Sequence, residues 1–117
     1  MSTLAVATIK SASSAAPVFQ NTSGTEIGQL VFAYVSVDPS GSSSILDSFN
    51  VSSVTENNAH TWTVTFANAA SNANYATAVD CEKETNNFTG SHTTSNFVFD
   101  TGSDLDSQNF YAIVCGG

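Results

Sequence analysis

The segment Thr61-Trp62-Thr63-Val64-Thr65-Phe66 alternates polar and apolar without a break. A period of two puts Trp62, Val64 and Phe66 on one face of a strand and three threonines on the other. All four residue types suit a pleated, half-buried surface. Phe49 and Val51 open an earlier alternating run, which reaches Val54 only after a change of phase, the mark of a bulge or a strand end. Between the two runs lies Glu56-Asn57-Asn58-Ala59-His60, a polar, turn-forming cluster. The expectation is a β-hairpin with a five-residue loop. A third run over 75–81 follows a small-residue turn at 67–74 and extends the hairpin into a meander. The core expected from these runs is Phe49, Val51, Trp62, Val64, Phe66, Tyr75 and Val79.

The flanking sequence supplies further strands. Residues 29–37 carry apolar side chains on both faces, Val31, Ala33, Val35 and Val37 on one, Leu30, Phe32 and Tyr34 on the other. Such a strand asks to be covered twice, by the core and by a neighbouring subunit. Ile45-Leu46 opens another strand, a short one lies near Phe88 in the polar stretch 82–95, and Asn96-Phe97-Val98-Phe99-Asp100 is one more. Residues 110–115 are continuously apolar and are expected to be central. No i, i+3, i+4, i+7 pattern persists anywhere. These signals add up to an all-β chain, a small antiparallel sandwich or jelly-roll-like domain over residues 30–117. Residues 1–29 read as an N-terminal attachment arm. A low-complexity stretch at 11–17 and a turn at 21–25 leave Leu4, Val6, Ile9, Val18 and Phe19 with little to pair with. Scattered apolar residues of this kind are expected to dock on a partner.

Composition narrows the function. The chain has 117 residues, 41% of them apolar, which is one domain with one modest core. Only 10% are charged, with a net charge of −8 and two cations, Lys10 and Lys83. Two cations are almost nothing with which to neutralise phosphates, so nucleic acid and anionic membrane surfaces are not expected partners. The opening residues lack the basic start and uninterrupted apolar run of a signal peptide, so folding in a cytoplasm is expected. Cys81 and Cys115 are then expected as buried thiols. A β-rich monomer guards its edge strands with Lys or Pro. This chain has two of each, so its edges are expected to be covered by other copies or by a partner.

Chemistry is sparse. Asp100-Thr101-Gly102 matches the aspartic-protease signature, in which two such aspartates share a proton. Too little chain follows for the flap and sheet that reading requires, and Asp and Gly each suit a turn. His60 and His92 read as exposed loop residues, and no cluster has the ligand spacing of a zinc site. Asp100, Asp104 and Asp106 do not have the spacing of an EF-hand loop and read as a solvated acidic turn. Trp62 with Tyr34, Tyr75 and Tyr111 suggests a sugar platform, but Trp62 is in phase with Val64 and Phe66 and reads as core. No catalytic residue, metal or cofactor is expected.

One resemblance adds to this reading. Asp47-Ser48-Phe49-Asn50-Val51-Ser52-Ser53-Val54-Thr55-Glu56-Asn57, then Thr61 to Phe66, then Asn72-Ala73-Asn74-Tyr75-Ala76, resembles a block of tail-fibre and virion-surface proteins of tailed bacteriophages, marine and cyanobacterial ones especially. The opening residues and Pro17-Val18-Phe19-Gln20-Asn21 resemble the attachment segment of the same proteins. The resemblance implies a non-enzymatic component of the virion, made in the host cytoplasm. It implies a homotrimer whose arm binds the major capsid or tail protein. At this length a capsid decoration (cement) protein or short fibre is expected. The alternative is the receptor- or glycan-binding tip of a tail or head fibre, meeting a host surface glycan.

Overall fold

A computed structural model of the chain describes residues 2–10, 18–40, 43–82, 88–101 and 109–116. In chain order its strands are β1 (Phe19–Gln20), β2 (Glu26–Gly28), β3 (Val31–Asp38), β4 (Ser44–Phe49), β5 (Val51–Asn58), β6 (Thr61–Phe66), β7 (Ala76–Cys81), β8 (Phe88–His92), β9 (Asn96–Asp100) and β10 (Phe110–Cys115). Among the described residues there is no helix. The order β4-β3-β10-β7 makes one four-stranded sheet and β5-β6-β9-β8 the other, while β1 and β2 form a separate hairpin. Every pairing is antiparallel. The protein is an all-β sandwich.

Both sheets contribute alternate residues to one core. Ala33, Val35, Val37, Phe110, Ala112 and Val114 come from the first sheet; Trp62, Val64, Phe66, Phe97 and Phe99 come from the second. Strict alternation on β6, β9 and β10 explains why these strands form: each buries every second side chain. Aromatic contacts bridge the sheets. Phe99 of β9 stacks on Phe110 of β10 at 4.5 Å, and Trp62 lies 5.2 Å from Phe110.

Several sequence expectations change. β5 runs to Asn58, so the hairpin turn is Ala59-His60 and not a five-residue loop. The run at 75–81 does not continue the meander. β6 pairs with β5 and β9, and β7 crosses to the other sheet to pair with β10. Trp62, Val64, Phe66 and Tyr75 are buried, and Val51 and Val79 pack partly buried against them. Phe49 is corrected from core to surface, at 55% exposed. It does not share a strand with Val51: β4 ends at Phe49, Asn50 turns with φ 54°, and Val51 starts β5 in the opposite sheet. Cys115 is also exposed, whereas Cys81 is buried. Cys81 faces Phe110 and Cys115 faces Ala76, which puts the thiols at opposite ends of the β7–β10 ladder, about 17 Å apart along the strand. That is beyond disulfide reach within one chain.

Tyr75 ties the two sheets together at one end. Its hydroxyl lies 2.9 Å from the Thr93 carbonyl and 2.8 Å from that of Asn96, in the β8–β9 turn. Its ring packs on Phe66 and on His92. Burial pushes the phenol above its ordinary value near 10, against the smaller opposing effect of the Thr93 hydrogen bond. A raised folded-state value favours the protonated form in the native protein, so the stability it contributes is intact below pH ~10 and is lost as pH rises above that. Tyr75→Phe is expected to cost about 1–2 kcal/mol at pH 7, the worth of the hydroxyl's bonds to the two carbonyls, of which that of Asn96 still accepts the Thr93 N–H. Urea unfolding followed at pH 7 and above pH 10 checks both points: the variant should lose less on alkalinisation than the parent.

Before β3 the chain stands away from the sandwich. Every described residue from 2 to 30 is exposed. The β1–β2 connection is the expected turn at 21–25, closed by Asn21 Oδ1, which accepts the N–H of Ser23 at 3.0 Å and of Thr25 at 2.9 Å. The sandwich begins at Val31.

Candidate functional site

The two outer faces of the sandwich differ in chemistry. On β6 the outward residues are Thr61, Thr63 and Thr65, and Thr63 exchanges hydrogen bonds with Asn57 of β5. That is an ordinary solvated sheet face. The outer face of the β4-β3-β10-β7 sheet is not. Register places Phe49, Tyr34, Ile113 and Ala78 side by side across all four strands. Phe49 is 55%, Ile113 48% and Tyr34 37% exposed. The next row is Asp47, Ser36, Tyr111 and Asp80, with Tyr111 again exposed. On the other side of the first row stand Val31 and Cys115, both exposed.

The side chains on this face support one another. Tyr34 and Phe49 stack with centroids 6.3 Å apart. The Tyr34 hydroxyl donates to Asp47 Oδ2 at 3.4 Å and that of Tyr111 to Glu82 Oε1 at 3.3 Å. Among Val31, Tyr34, Phe49, Tyr111 and Ile113 lies a shallow apolar depression of about 410 Å³. Asp47 and Glu82 accept from the hydroxyls of Tyr34 and Tyr111 on this face, and Asp80 stands opposite Tyr111 in the β7–β10 register. Exposed apolar surface that is contiguous and edged by polar groups marks interaction sites on soluble domains.

The other sequence candidates have structural places. Of the aromatics considered for a sugar platform, Trp62 and Tyr75 lie in the core, while Tyr34 and Tyr111 share the outer face. Asp100 and Thr101 fasten the end of β9 to the β5–β6 turn. Thr101, buried, donates its N–H to the His60 carbonyl at 3.1 Å and its hydroxyl at 3.3 Å, and Asp100 Oδ1 is 3.3 Å from His60 Nδ1. Gly102, Asp104 and Asp106 lie outside the described residues. His60 is exposed in its turn as expected, but His92 is corrected: it is half-buried in β8, 4.7 Å from the Tyr75 ring, with Nε2 3.3 Å from Thr77 Oγ1. Among the described residues no three His, Cys, Asp or Glu side chains converge as metal ligands. The arm residues Leu4, Val6, Ile9, Val18 and Phe19 are all exposed. Sequence reading anticipated a second covered face on residues 29–37 but did not find the row that Phe49, Tyr34 and Ile113 make across it. The signal for it was the apolar content of both faces at 29–37 and the unbroken apolar run at 110–115.

Comparison of the chain with protein-family models, with curated proteins and with solved structures gave no match.

Proposed function

We propose that this protein is a non-enzymatic structural component of a tailed-phage virion, a capsid decoration protein or short fibre. In this reading its β-domain associates with other copies, as a trimer, and its N-terminal arm holds the assembly together and on the particle. The observation that carries it is the row Phe49–Tyr34–Ile113, apolar and open to water on a domain whose other outer face is threonine-rich. Burying such a face contributes about 25 cal/mol per Å² removed from water, which favours association over a lone subunit. The exposed apolar arm and the sequence resemblance at 47–57, 61–66 and 72–76 support the same reading, and the resemblance alone points to a virion. Light scattering coupled to size-exclusion chromatography is the test. A single oligomeric species at micromolar concentration, binding to phage heads or tails stripped of it, is expected. A monomer at every concentration overturns the proposal.

A second reading rests on the two tyrosines beside carboxylates on the same face, an arrangement that suits a neutral sugar: aromatic surface for its C–H face and acceptors for its hydroxyls. Glycan binding by a monomer, abolished by Tyr34→Ala, would favour this receptor-tip reading.

A further inference from the structure

We propose that residues 2–10 of one copy dock on the outer face of the β4-β3-β10-β7 sheet of a second copy. The inference rests on the assembly reading and names the two surfaces that meet. Each copy carries both an uncovered apolar face and an uncovered apolar segment. Leu4 is 82%, Ile9 63% and Val6 52% exposed, and residues 2–10 form no strand with the rest of the chain. With the arm extended, Leu4 and Val6, two residues apart, would project from the same side about 6.6 Å apart. Tyr34 and Ser36 have the same spacing on β3, so an arm laid along that strand sets its apolar side chains over the depression.

Charge selects the arm over a face-to-face dimer. Among the described residues Lys10 is the one Lys or Arg, and beside the tyrosines of the face stand Asp47, Asp80 and Glu82. Packing this face on its own copy would set carboxylates against carboxylates in a chain of net charge −8, which costs affinity. Packing the arm brings a cation to these carboxylates. Position selects a second copy over the same chain. The hairpin and arm stand off the sandwich, with every described residue from 2 to 30 exposed. The molecule reaches 50 Å along its longest axis, whereas its eight-residue strands span only about 27 Å. Each copy thus gives one arm and receives one, a head-to-tail contact that closes into a ring such as a trimer.

Cys115 on the face supplies a direct test. Leu4→Cys and Val6→Cys are made separately in the full chain, and each is mixed as isotopically heavy and light protein before mild oxidation. Peptide mapping is expected to find a disulfide from the arm to Cys115 joining heavy and light chains, with covalent multimers on a non-reducing gel. In the same protein Ile113→Lys, on an exposed position, should weaken association about tenfold or more. An arm-to-Cys115 bond found only within single chains overturns the proposal, as do Cys115–Cys115 dimers in the parent protein. An oligomer in which neither arm cysteine reaches Cys115 also overturns it, yet leaves the assembly reading standing. A monomer at all concentrations removes both.

Discussion

Trp62→Ala is expected to lose about 3–5 kcal/mol of folding free energy, the range for emptying a large buried aromatic position. Trp62 is 2% exposed and sits where the two sheets meet. It touches Phe99 of its own sheet at 6.3 Å and Phe110 of the opposite sheet at 5.2 Å. Its indole N–H donates to Ser43 Oγ at 3.2 Å, and Ser43 is itself buried. Alanine removes the ring from both sheets at once and leaves the serine hydroxyl without that donor. Against a total of about 5–15 kcal/mol for a domain, the variant keeps little margin. Its melting temperature, followed by circular dichroism, should fall on the order of 10–20 °C. Trp62→Phe keeps a six-membered ring between the sheets but loses the N–H and the rest of the indole, so a smaller loss of about 2–3 kcal/mol is expected. Equal losses in the two variants would mean that the six-membered ring contributes little and that the N–H and the remainder of the indole carry what Trp62 supplies.

How much of this was legible in the chain depends on the range of the interaction. Hydrophobic patterning is a local signal: strict alternation located β6, and unbroken apolar runs located β3 and β10, although in the structure β6, β9 and β10 each bury every second residue. Strand partnership is not local. The small, polar residues at 67–74 look like a tight turn, but they carry the chain across from β6 in one sheet to β7 in the other. Nothing in their periodicity distinguishes the two. Phe49 failed for a different reason. It is in phase with Val51 on paper, but a residue with positive φ between them moves Val51 to another sheet, so the count of two no longer says which side is in. The outer face was half visible. Tyr34 and Ile113 were seen on apolar strands with more hydrophobic side chains than one core needs. That they are neighbours follows only from the pairing of β3 with β10, which joins the two ends of the domain. Cys115 shows the same limit: a continuously apolar run reads as buried on both sides, and this one is buried on the inner side alone.

Asn50→Val is the second large expected loss, about 3–4 kcal/mol, at a position that is only half-buried. Two costs combine there. Asn50 holds φ 54°, a left-handed conformation that asparagine tolerates and a β-branched residue does not, worth about 1–3 kcal/mol. Its side chain also staples the corner between the sheets. Oδ1 accepts the Asn68 backbone N–H at 2.8 Å and its side-chain amide at 3.1 Å, while Nδ2 donates to the Phe32 carbonyl at 3.2 Å and the Asn68 carbonyl at 3.3 Å. Phe32 belongs to one sheet, and Asn68 follows the strand that ends in the other. Valine replaces none of these bonds, each worth about 0.5–1.5 kcal/mol net. Asn50→Gly accepts the backbone angle and loses only the side-chain bonds, so it should cost about half as much. Asn50→Asp keeps the acceptor but turns a carboxylate toward two carbonyl oxygens, and its loss should shrink when acid protonates it. Urea titrations read by the fluorescence of Trp62, the only tryptophan in the chain, rank the three. A glycine variant as unstable as the valine one would show that the hydrogen bonds hold the corner and that the backbone angle costs valine little. Were valine and parent equal, the corner would be set by the strands on either side, and Asn50 would merely fit it.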